Sequence, residues 1–190
     1  MPAGCRARSP SRPGGGVRRH TYAVWVRLAV GDRVVYAAHG VGQVIAHEVR
    51  VVDGASREVV VVALSEGLSV SLPLELAESQ LRSLATEAEL RRVRDTLRQD
   101  ATATDKPWLA RRRDMQEKLS NGGSLGLAEI VRDTAQRGDP QPSRAERSAG
   151  GGERDVCRRA RLLLSTEIAA VRGVDVIEAD RWIELQLSGA

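Results

Sequence analysis

The hydrophobic pattern changes period once along the chain. From residue 28 to about 84 it has short runs rich in Val, punctuated by turn residues. Val34-Val35-Tyr36 follows Gly31-Asp32, and a long run covers roughly Gln43–Val52. Asp53-Gly54 is a strong hairpin signal, because both central positions of the tight turn favour positive φ. Arg57–Leu64 contains four consecutive valines, which suits a strand buried on both faces. Glu66-Gly67 turns the chain into Leu68–Leu72, and Pro73 ends that strand. Short antiparallel strands joined by tight turns predict a small barrel or a strongly bent sheet.

From residue 85 onward the period becomes helical. Thr86-Glu87-Ala88-Glu89 reads as a capping box, followed by the apolar face Leu90, Val93 and Leu97. A second helix is predicted from about Pro107 to Ser120, stopped by Asn121-Gly122-Gly123. A third covers about Leu125–Gln136. A fourth covers Glu153–Arg172, with the stripe Val156, Ala160, Leu163, Leu164, Ile168 and Val171 closed by Gly173. A fifth starts near Asp175 and uses Val176, Ala179, Ile183 and Leu187. The expected fold class is α+β, with a β domain at 28–84 and a compact five-helix domain at 85–190. Residues 138–152, without apolar periodicity, form a flexible loop in the second domain.

Composition sharpens this picture at three points. Phe is absent and aromatics make up 3% of the chain, so the core must be aliphatic and the three Trp and two Tyr stand out. The net charge of +4 is misleading about the body. Residues 1–27 hold six Arg and no acid, and read as a disordered tail. Without those six, 23 basic side chains face 25 acids. A basic footprint in the body must therefore be local. Two cysteines, Cys5 and Cys157, give no disulfide framework and fit a reducing cytoplasm.

Catalytic chemistry has little to build on. His20, His39 and His47 lack carboxylate or Cys neighbours at ligand spacing, and His39 reads most simply as a turn residue. Gly40-Val41-Gly42 is followed by a strand, where a phosphate-cradling loop needs a helix. A tight glycine turn is the simpler reading. Cys157 lies at the apolar edge of a helix and reads as core. Trp182 sits by the apolar stripe of the last helix and also reads as core.

The most unusual stretch is Lys106-Pro107-Trp108-Leu109-Ala110-Arg111-Arg112-Arg113. Helix starts favour acids because the dipole there is positive. Three Arg within about a turn of that start are mildly unfavourable unless an anion compensates. A nucleic-acid phosphate would do so, leaving Trp108 to reach or wedge between bases. The same residues also suit a core Trp beside a solvated basic face, and the pattern leaves both readings open.

Val30-Gly31-Asp32-Arg33-Val34-Val35-Tyr36 followed by His39-Gly40-Val41-Gly42-Gln43-Val44 resembles the opening of the CarD/CdnL family, whose N-terminal domain is shared with transcription-repair coupling factor. Pro73 fits the same pattern. Trp108 through Leu119, Ala128 through Asp133, and Glu153 through Ile168 resemble the family's helical half. The resemblance covers about residues 28–188. It implies a Tudor-like antiparallel β-barrel that binds the β subunit of RNA polymerase. It also implies a helical domain that contacts promoter DNA at the upstream edge of the −10 bubble and stabilises the open complex.

On that resemblance Trp108 is the minor-groove wedge, and Arg111 and Arg113 fall on phosphate-holding positions, with Arg112 beside them. Arg50 and Val52 match the polymerase-contacting edge. Ser71 stands on that edge where some members carry an Arg before the strand-ending proline. The loop at 138–152 is longer and richer in Gly than the family pattern, and the Arg-rich tail has no counterpart in it.

The expected protein is a non-enzymatic, monomeric bacterial regulator of the cytoplasm, brought to the nucleoid by polymerase. Its partners are polymerase and double-stranded or fork-junction promoter DNA. No cofactor, metal, small-molecule substrate or membrane is implied. The alternative is an adaptor that binds polymerase without touching DNA. An autonomous sequence-specific repressor fits less well, since no helix-turn-helix is visible and the body is slightly acidic.

Overall fold

The structure, a computed structural model, describes residues 28–52, 54–64, 67–137 and 152–189. The expected disordered tail, 1–27, and nearly all of the expected loop, 138–152, lie outside the described residues, as does Asp53 of the hairpin turn.

Five strands form one antiparallel sheet: β1 Arg33–Tyr36, β2 Gly40–Val52, β3 Ala55–Leu64, β4 Ser69–Pro73 and β5 Leu81–Ser83. Their order is β4-β3-β2-β1-β5, so β4 and β5 are edges and the sheet is not closed. The expected barrel is corrected accordingly. The physical reason lies after Pro73. The chain enters a short helix, α1 Leu74–Gln80, in place of a strand that could have bridged the two edges. Ala77 of α1 is fully buried with Leu81, Val34, Val44, Val60, Val62, Leu64 and Leu72, so α1 helps cover one face of the sheet.

The valine run does bury both faces. Val60 and Val62 line this core, while Val59 and Val61, pointing the other way, are 3% and 7% exposed. The Gly40–Gly42 stretch is the start of β2, not the turn expected from sequence. The turn is a short 3-10 segment, Ala37–His39, whose His39 ring stacks on Tyr36 at 4.6 Å. Gly42 is required by the approach of β3. A Cβ there would lie 2.7 Å from Val62 Cγ1 and 2.8 Å from the Ala63 carbonyl oxygen.

The helical half contains α2 Glu87–Leu97, α3 Trp108–Asn121, α4 Gly123–Arg137, α5 Glu153–Arg172 and α6 Val176–Leu187. These are the five helices expected at 85–190; α1, in the first module, is a sixth among the described residues and was not expected. α1 was missed because its sequence, LELAESQ, is too short to establish a helical period. The capping box forms as read. Thr86 Oγ1 accepts the Glu89 N–H at 3.2 Å, and the Glu89 carboxylate accepts the Thr86 N–H. That backbone donor holds the Glu89 carboxyl below its ordinary pKa. Gly173 ends α5 at φ 69°, in the left-handed region.

The helical core gathers Leu90, Val93, Leu97, Ile130, Leu164, Ile168 and Ile183, each no more than 1% exposed. Trp182 is partly buried against this core, with the Arg172 guanidinium 4.2 Å from its ring centroid. Among the described residues, no helix is long and apolar enough to cross a membrane.

Candidate functional site

The start of α3 is the best candidate for chemistry, and buried polar groups determine where it sits. The connection from α2 runs over α4 and is tied to it at successive points. Gln136 donates to the Gln99 carbonyl at 2.9 Å and accepts the Ala101 N–H. Asp133 accepts the Thr102 N–H at 3.0 Å. Arg132 donates to Thr102 Oγ1 at 2.7 Å and to Asp133 Oδ1 from Nε and Nη2. Arg132 and Asp133 are 5% and 7% exposed, so this network replaces water on groups that need partners. Arg137 lies on the same carboxylate, 3.8 Å away.

These ties bring the chain to Pro107, whose φ of −56° suits the residue before a helix, and Trp108 opens α3. The Trp108 side chain lies outside what the structure describes. No acid occupies the first turn of α3. The three arginines diverge, as consecutive helical residues must. Arg111 turns inward, donating to Glu153 Oε1 and to the Lys106 carbonyl, both at 3.0 Å. Glu153 is 7% exposed and begins α5, so the anion answering Arg111 here is a protein carboxylate. Arg112 is half-buried and Arg113 is exposed. Leu109, four residues before Arg113 and so on its side of the helix, is 63% exposed. Lys106 pairs with Asp114 across the first turns of the helix.

A cavity of about 500 Å³ lies behind this helix start, lined among others by Thr102, Lys106, Arg111, Met115 and Lys118. Its cations are paired within the protein: Lys106 with Asp114, Arg111 with Glu153, Lys118 with Glu129 and Arg137 with Asp133. It is therefore not a bare anion pocket.

A second cluster lies on the sheet. Arg50 on β2 donates to Glu48 Oε2 at 2.7 Å and to Ser71 Oγ on β4 at 3.2 Å. To reach Ser71 it spans β3, on the face where Val59 and Val61 are buried. Two of the three residues expected on this edge are thus brought together, although they stand 21 positions apart. The side chain of the third, Val52, lies outside what is described. On the opposite face of the hairpin, Val49 and Val51 are 73% and 75% exposed.

Two family models match the chain in tandem. One is the CarD-like/TRCF RID domain, over residues 28–85, and the other is the CarD C-terminal domain, over residues 92–184. The chain belongs to the CarD family. As a CarD-family protein it is an RNA polymerase-interacting transcription regulator. The Arg50–Ser71 cluster falls in the first matched segment and the α3 start in the second.

Cys157, read from sequence as core, is only partly buried; burial pushes its thiol pKa up, so it resembles a packed thiol more than a nucleophile. Glu153, Arg132, Asp133 and Gln136 are the site residues that sequence reasoning missed. Each has a partner 30 to 42 positions away, and no local pattern marks such pairs.

Proposed function

We propose that this CarD-family protein binds the β subunit of RNA polymerase through the module at 28–84. In the same complex the module at 85–190 holds promoter DNA at the upstream edge of the −10 bubble and stabilises the open form. Trp108 is the wedge at the split duplex. Arg113 and Arg112 hold phosphates, with Arg111 both anchoring α3 to Glu153 and lending charge at the DNA side. Arg50, Val52 and Ser71 make up the polymerase-facing edge. The protein acts as a monomer and reaches the nucleoid through polymerase.

One observation carries this reading. The α2–α3 connection is clamped by buried Arg132 and Asp133, so the residue that opens α3 is delivered at a fixed place beside an exposed Arg113 and an exposed Leu109. A rigid start lowers the ordering cost of contacting DNA. A ligand that binds the open complex better than the closed one shifts the equilibrium by that differential affinity. Polymerase docking supplies the local concentration that a weak DNA binder needs.

Salt titration of binding to fork-junction promoter DNA tests the reading and separates it from an adaptor that never touches DNA. Each phosphate contact contributes about 0.9 to the slope of log K against log salt on duplex DNA. Arg113→Gln is expected to reduce that slope by about 1 and to weaken binding on all sequences alike. A slope near zero in the unmodified protein favours the adaptor. For the polymerase side, Arg50→Glu places a second carboxylate beside Glu48 and removes the bond to Ser71. It is expected to cut capture of the polymerase β subunit by about tenfold or more, consistent with truncating a charged interface contact. Undiminished capture would locate the interface elsewhere.

A further inference from the structure

Two arginines of the β module grip a single helix of the other module. Arg82 on β5 donates from Nη1 and Nη2 to the two carboxylate oxygens of Glu167 on α5, at 2.6 and 2.7 Å. Glu167 is 1% exposed, and its Oε1 also accepts the Ala85 N–H at 3.0 Å. Arg33 on β1 donates to the Ala170 carbonyl at 2.9 Å. That carbonyl is in the last turn of α5, where acceptors lack partners along the helix and the dipole favours a cation. Gly40 completes the contact, since a Cβ there would lie 3.2 Å from Leu163 Cδ2.

Leu163, Glu167 and Ala170 are spaced four and three residues apart, so they share one face of α5. β1 and β5, which supply the two arginines, are neighbours at one end of the sheet, and Ser71 stands on the strand at the other end. The connection between the modules is only Leu84–Thr86, and Ala85 within it is itself bound to Glu167.

Apolar contact alone tolerates sliding. A planar guanidinium on a carboxylate does not, because two parallel hydrogen bonds fix direction as well as distance. A buried pair of this kind is weak evidence for net stability, because desolvation offsets much of its attraction.

We infer that Arg82 and Glu167 are positioning residues that lock the two modules in one orientation, so that docking the β module on polymerase delivers the start of α3 to a set place on DNA. The inference rests on the proposed DNA role of α3. A loosened joint would spread that helix start over a larger volume and lower its effective concentration at the duplex, with both binding surfaces intact.

The test uses the full chain with Cys5 and Cys157 replaced by serine and nitroxide labels at Ser56→Cys and Arg181→Cys, both exposed and one in each module. The parent should give one narrow label-to-label distance, and Arg33→Gln/Arg82→Gln a broad distribution. In unlabelled protein the same double variant should lose most of the extension of open-complex lifetime. Capture of the polymerase β subunit and the free protein's affinity for fork-junction DNA should stay within about twofold, as expected for distant, independent sites. Glu167→Gln removes the charge while keeping the side chain's shape, so an arginine variant that does not fold leaves the question decidable.

A distance that stays narrow in the variants overturns the inference, because something else then sets the orientation. A broadened distance with an unchanged open-complex lifetime overturns it too. If the parent extends no open complex, the DNA role of α3 fails, and the distance measurement still decides whether the pair sets the orientation.

Discussion

Replacing Trp108 by alanine is expected to shorten the lifetime of open promoter complexes made with this protein and to leave capture of the polymerase β subunit unchanged. Trp108 is the first residue of α3, reached through Pro107 and a connection tied to α4 by Asp133, Arg132 and Gln136. Base–aromatic stacking contributes about 1–3 kcal/mol per base, which corresponds to about five- to 150-fold in an equilibrium or lifetime. Unstacking a base step costs a few kcal/mol, so an indole filling the gap offsets a large part of it. Polymerase capture should be spared because the Arg50–Ser71 cluster, the proposed polymerase-facing edge, belongs to the other module. Competitor challenge of preformed complexes measures the lifetime. A variant as long-lived as the parent removes the wedge from the mechanism.

The largest stability effect is expected at Arg132→Met. Arg132 is 5% exposed and donates twice to Asp133, itself 7% exposed. Methionine fills much of the volume but leaves the carboxylate with the Thr102 N–H and the more distant Arg137. Removing one partner of a buried pair costs about 3–5 kcal/mol, and the remaining donors place this case near the lower end. For a chain of this size each kcal/mol shifts the melting temperature by about 2–4 °C, so a fall of about 6–12 °C is expected by calorimetry. Fork-DNA binding should weaken with it, because Thr102 and its neighbours lose the group that holds them against α4. A melting temperature unchanged within 2 °C, well under that range, would mean that the network is not what fixes this connection.

Much of the architecture was legible in the residues. Valine-rich runs set off by turn residues predicted β1 to β4, though not the three-residue β5, and Thr86 with Glu89 marked the start of α2 correctly. The stripe Val156–Ile168 is buried as its spacing required. The errors came where a short segment carried too little pattern. α1 has seven residues, and a barrel was expected where α1 leaves the sheet open. Gly40 and Gly42 looked like turn residues, yet Gly42 is needed because a neighbouring strand presses on it.

The candidate site was legible in part. The unusual run from Lys106 to Arg113 could be singled out because it breaks the rule that helix starts favour acids. Sequence alone, though, gave the three arginines one shared role. Tertiary structure gives them different ones, since Arg111 meets Glu153 from 42 residues away while Arg113 faces solvent. The same holds for Arg50 with Ser71, and for Arg82 with Glu167. Local patterns, in short, determined which helices and strands form, because those depend on side-chain period and backbone preference over a few residues. Which charges meet was decided only by folding, because an ion pair needs its partners a few ångströms apart in space, whatever their distance along the chain.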